Sequence, residues 1–156
     1  MIVLGVDPGS YRTGWGVVER RGARLSGLSA GVIECKKGQP LPERLCVIHT
    51  ELVKLIAEFE PSCMAVEDLF LGEHATAALK LGQARGVVLL AAAQHGLQVS
   101  EYPPAVIKRS VGGSGRAPKD QVARMVGAIL GWQKLPPADA TDALAIAVTH
   151  AQCAAR

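Results

Sequence analysis

The chain has 156 residues and 16.4 kDa, the size of one domain, 1–156, with about 70% of its surface expected to be buried on folding. Apolar residues make up 49% and charged residues 20%, which excludes intrinsic disorder, and a net charge of +3 is too small to name a partner. The charge is uneven: between 103 and 134, Lys108, Arg109, Arg116, Lys119, Arg124 and Lys134 face only Asp120, so the remainder is net negative.

Residues 1–6 form a continuous apolar run, a predicted strand that ends at Asp7. The turn Asp7-Pro8-Gly9-Ser10 leads to β-rich stretches at 14–20 and 24–36, joined at Arg21-Gly22. Leu41, Leu45, Ile48, Leu52, Leu55, Ile56 and Phe59 recur every three or four residues, which predicts an amphipathic helix over 42–59, stopped by Pro61. A short strand at 63–66 runs into Glu67. Residues 74–95 read as a helix, apolar nearly all round from Gly86 to Ala93, hence buried on most sides by the core or by another subunit. Gly82 and Gly86 leave room there for close backbone approach. A strand at 97–102, a short helix at 105–110, a loop at 111–118, a helix at 119–130 and an Ala-rich helix at 138–155 complete the chain. This order predicts an α/β protein, a mixed five-stranded sheet with helices on its faces.

No charged leader precedes the first strand, so no secretory signal is expected. The longest uncharged stretch, 86–100, is broken by Gln94, His95 and Gly96 and is too short to span a bilayer. Four scattered cysteines offer no disulfide framework and no zinc spacing. These features predict a reduced, cytoplasmic protein that engages no membrane.

Two acids stand where bare carboxylates are costly: Asp7 and Glu67 each end an apolar strand, at the edge where α/β sheets bind ligands. Asp139 and Asp142, three apart on one helix face, are the only acids after Asp120, with no Lys or Arg close by in sequence. A shared cation would relieve all four. An all-oxygen cage suits Mg²⁺ or Mn²⁺ better than zinc, and two such ions about 4 Å apart suit phosphoryl transfer. Each acid singly has a plainer reading. Asp7 can form the turn before Pro8, Asp139 can answer the helix dipole, and Glu67 and Asp142 can belong to surface ion pairs. The glycine-rich loop 111–116 can bring backbone N–H groups to phosphates or simply be a solvated loop.

Val3-Leu4-Gly5-Val6-Asp7-Pro8-Gly9-Ser10 with Thr13-Gly14, Leu79-Lys80-Leu81-Gly82-Gln83-Ala84-Arg85-Gly86 and Ala138-Asp139-Ala140-Thr141-Asp142-Ala143-Leu144-Ala145-Ile146-Ala147 resemble the RuvC family of Holliday-junction resolvases. The resemblance runs nearly end to end. It implies a ribonuclease-H-like fold and a homodimeric, Mg²⁺-dependent endonuclease (two ions per site, Mn²⁺ also suitable) that nicks opposed strands of four-way junction DNA symmetrically. It also implies a branch-migration partner complex of the RuvA and RuvB type. By resemblance, Asp7, Glu67, Asp139 and Asp142 are the catalytic, metal-holding carboxylates, and Lys108 and Lys119 lie near the scissile phosphate and DNA backbone. The resemblance likewise makes Phe70 the aromatic expected to stack on unpaired bases, and Arg116, in the basic segment, is a further candidate DNA-binding residue. The segment 68–74 departs from the family pattern, lacking an Asn near 74 and placing Asp68 beside Glu67.

Three other readings compete. The Asp7-x-Gly turn also resembles the phosphate hairpin of actin-like and sugar-kinase-like ATPases, but those folds pair two such domains. A junction-binding module without catalysis and a relative that cuts RNA or plain duplex are the others. Four retained acids argue for catalysis.

Overall fold

The computed structural model describes residues 1–68 and 75–154. Its strands are β1 (Ile2–Asp7), β2 (Arg12–Arg21), β3 (Arg24–Glu34), β4 (Cys63–Glu67) and β5 (Gln98–Tyr102). Its helices are α1 (Leu41–Phe59), α2 (Ala75–Gln94), α3 (Pro104–Gly112), α4 (Lys119–Leu130) and α5 (Ala138–Cys153). The third helix is longer than its short apolar pattern predicts. Pro104 presets the first turn, and the helix continues until Gly113 takes the left-handed conformation at φ 83° and closes it.

The strands form one sheet in the order β3-β2-β1-β4-β5. β1 pairs antiparallel with β2 and β2 with β3, while β4 runs parallel to β1 and to β5. Side chains alternate across it. Leu4, Val6, Met64 and Val66 pack with Ile48 and Leu52 of α1 and Val88 of α2. On the opposite face, Val3, Val18 and Ala65 pack with α5 and with Ile107 of α3 and Val126 of α4. The sheet is therefore mixed, with helices on both faces, as the order of elements predicts.

Within one chain, α2 is not buried on most sides. Ala84, Val88, Ala91 and Ala92 face the core, whereas Leu79 is 66% and Leu90 52% exposed. Residues chosen for all-round apolarity cover only one side with this chain's own core. Among the described residues no helix is long and apolar enough to cross a membrane.

Candidate active site

Parallel pairing of Val6 with Val66 sets Asp7 and Glu67 side by side at the carboxyl ends of β1 and β4. The other two acids arrive on the first turns of α5, and glycine makes their approach possible. Gly14 is the register partner of Asp7, and a Cβ on Gly14 would overlap the carbonyl oxygen of Asp139. Two positions further along the same strand pair, Gly5 faces Gly16: a Cβ on Gly5 would stand 2.9 Å from the Ala147 Cβ, and one on Gly16 2.7 Å from Leu144. The backbone of α5 thus rests directly on β1 and β2. Any larger residue would lift the helix, and Asp139 and Asp142 with it. The alternating glycines at 14 and 16, with Gly5 opposite, were the available sequence signal for this contact.

The four carboxylates feel one another. Asp7 is pushed up to about 7, first by burial and then by Asp142, Glu67 and Asp139. Glu67 is raised by burial and by Asp142, with Lys108 and Lys119 opposing. The two helix acids, which lack cations nearby in sequence, receive them from distant elements. Lys119 Nζ lies 2.7 Å from Asp142 Oδ2, a contact that raises the lysine's own pKa. Arg12 Nε donates to Asp139 Oδ2 at 2.8 Å, while its Nη1 pairs with Glu34. The site therefore divides into two acids paired with cations and two without such a bond among the described contacts.

Among the described residues no three ligating side chains stand together closely enough to hold an ion. The donor set is nonetheless all carboxylate oxygen, and its mutual repulsion adds to burial in raising Asp7, so a hard divalent cation fits it.

A cleft of about 220 Å³ opens between α3, α4 and α5, lined by Glu67, Asp142, Lys108 and Lys119 over an apolar floor that includes Ile107 and Val122. A second, of about 210 Å³, adjoins it at Glu67 and carries Asp7 and Arg85. Arg85, 7% exposed, donates to the Glu67 carbonyl at 2.9 Å and pairs with Glu101 at 2.7 Å, anchoring α2 to the ends of β4 and β5. Arg116 is exposed on the loop between α3 and α4, and none of the four acids is among its described hydrogen bonds or ion pairs. Phe70 lies outside the described residues.

Sequence reasoning missed Arg12, Glu34 and Arg44. Arg44, 4% exposed, donates to the Ser10 carbonyl at 2.7 Å and sits 3.8 Å from the centre of the Tyr11 ring, pinning the turn that follows Asp7. Its position on the amphipathic α1, among apolar neighbours, was the only available hint.

A mixed sheet with carboxylates at the ends of adjacent parallel strands and on a crossing helix defines a ribonuclease-H-like protein. Residues 3–150 match the family described as crossover junction endodeoxyribonuclease RuvC. The chain is 50% identical over 149 residues to the RuvC of Rhodopseudomonas palustris strain BisA53, covering 96% of this chain and 86% of the relative. It is 48% identical over 150 residues to that of Trichlorobacter lovleyi, covering 96% and 84%. The structure of T. thermophilus RuvC in complex with Holliday junction substrate superposes with a TM-score of 0.94 at 39% identity, covering 99% of this chain and 95% of that one. The yeast mitochondrial resolvase Ydc2, at 14% identity and a TM-score of 0.64, shares the fold. The chain belongs to the RuvC family of crossover junction endodeoxyribonucleases.

Proposed function

We propose that this chain, acting as one nuclease domain over residues 1–156, hydrolyses phosphodiesters on opposed strands of four-way DNA junctions, with Asp7, Glu67, Asp139 and Asp142 as its metal-holding acids. The observation that supports it most is the convergence of those four acids from β1, β4 and α5, where burial first and then the other three carboxylates push Asp7 up to about 7. Two Mg²⁺ ions, or Mn²⁺, held there would activate water and stabilise the leaving oxygen.

The chain's own residues prepare the rest. Lys108 and Lys119, lining the cleft with Glu67 and Asp142, place positive charge where a phosphate would enter. Lys119 is held by Asp142 in the free protein, so its role toward DNA begins when that bond is exchanged. Arg116, with the basic segment around it, extends the positive surface along the backbone. Phe70, three residues beyond Glu67, would stack on bases unpaired at the crossover.

A homodimer fits the outer stripe of α2, where Leu79, Gly82, Gly86 and Leu90 follow helical spacing and a Cβ on either glycine would meet nothing within 4 Å. A two-fold dimer offers two equivalent sites to two opposed strands. Partners of the RuvA and RuvB type and a cytoplasmic location complete the reading.

The test compares a synthetic four-way junction, a duplex and an RNA–DNA hybrid, with Mg²⁺ and with chelator. Paired nicks on the junction alone, lost in chelator and reduced by several orders of magnitude in Asp7→Asn and Asp142→Asn, are expected. Near-normal cleavage by both variants would overturn the assignment.

A further inference from the structure

Arg12 begins β2 opposite Glu34 in the β2–β3 register, so the sheet itself keeps the two side chains neighbours. From there the guanidinium spans to α5 and holds Asp139 at 2.8 Å. Its side chain is 49% exposed and that of Asp139 35%, so solvent weakens the pair. Asp139 also adds to the repulsion that Asp7 experiences, and a cation beside it offsets part of the negative charge of the cluster. Such a pair gives way readily to a doubly charged ion, and Glu34 remains to receive the released guanidinium.

We propose that Arg12 is a stand-in cation: it pairs with Asp139 and yields it to a divalent ion, with Glu34 as its retaining partner. This rests on the reading of the four acids as metal ligands. It makes the β2–β3 edge a determinant of metal affinity, although neither Arg12 nor Glu34 would touch the ion.

The consequence is read by Mn²⁺ binding to the full chain without DNA, by calorimetry and by the electron paramagnetic resonance of free Mn²⁺. Arg12→Gln should bind Mn²⁺ about three- to fivefold more tightly, the range expected when a half-exposed ion pair no longer competes. Glu34→Gln should bind about twofold more weakly, because Arg12 then invests wholly in Asp139. In the double variant the effect of Glu34→Gln should vanish, since Glu34 acts only through Arg12. Arg12→Lys, which keeps the charge but loses the forked geometry, should fall between wild type and Arg12→Gln. Unchanged or weaker binding in Arg12→Gln overturns the proposal. So does a Glu34→Gln effect that persists without Arg12, which would mark simple long-range charge. Asp7→Asn separates the two levels: if it loses Mn²⁺ while Arg12→Gln binds as wild type, only the stand-in role fails. Equal Mn²⁺ binding by Asp7→Asn and wild type removes the metal-site reading and this role together.

Discussion

Two helices of small residues, α5 and α2, lie on opposite faces of the sheet and use glycine in opposite ways. Beneath α5 the glycines belong to the sheet, and they let Ala143 and Ala147 sit against backbone. On α2 the glycines belong to the helix and point away from the core into open space. Helical glycine costs about 1 kcal/mol relative to alanine, so the first set has a structural return inside the chain and the second has none there. Helix α5 is thus seated so that it places carboxylates, whereas the outer stripe of α2 has no use inside the chain, which is what the proposed dimer would supply.

The largest expected effect comes from closing the gap under α5. Gly5→Val would drive a side chain into the Ala143 carbonyl and the Ala147 backbone, neither of which can rotate aside. A loss of about 3 kcal/mol or more is expected, with cleavage lost as the acids separate; urea unfolding and a junction assay measure both. On α2 two apolar residues separate by burial. Val88 is fully buried, and Val88→Asp should unfold the protein, whereas Leu90→Asp should leave the monomer folded and dissociate the proposed dimer. Sedimentation showing an intact dimer in Leu90→Asp would remove the contrast.

A smaller effect lies within the acid cluster at the end of α5. Asp7 titrates near 7 in the folded chain and 3.8 in the unfolded reference, so the folded state retains its proton over that interval. Stability in chelator should therefore fall as pH rises from about 4 to 7. Asp7→Asn should flatten most of that slope, leaving the contribution of Glu67 with the same sign, and should gain on the order of 2 kcal/mol at pH 8. Thermal melting across pH, compared with Asp142→Asn, checks it. The latter also loses the Lys119 contact and should gain less.

Much of this arrangement was legible in the chain. The apolar runs, the periodic α1 and α4, and the placement of Asp7 and Glu67 at strand ends all follow from local patterning, which the sheet then preserves. The ion pairs were not legible. Arg12 and Asp139 are 127 residues apart, and only the seating of α5 on Gly14 brings them together. What covers α2 was not legible for a related reason: composition records that a helix is apolar, but not how many of its sides one core can cover. Leu79 and Leu90 stay exposed because α1 and the sheet already occupy the single face they share with α2.

The smallest effect tests the outward glycines directly. In an isolated chain Gly86→Ala adds a methyl group to open space and removes the conformational freedom that disfavours helix. It should therefore stabilise by up to about 1 kcal/mol, raising the melting temperature by a few degrees. If a second copy packs on the stripe, the same methyl group meets its backbone, and the gain turns into a loss that depends on protein concentration. The two cases separate when melting is followed over a hundredfold range of concentration. The expected outcome is a stabilised variant at high dilution and a weakened dimer at high concentration. Stabilisation at every concentration would mean that nothing approaches Gly86 closely, and would remove the outer stripe of α2 around Gly86 as the proposed dimer contact.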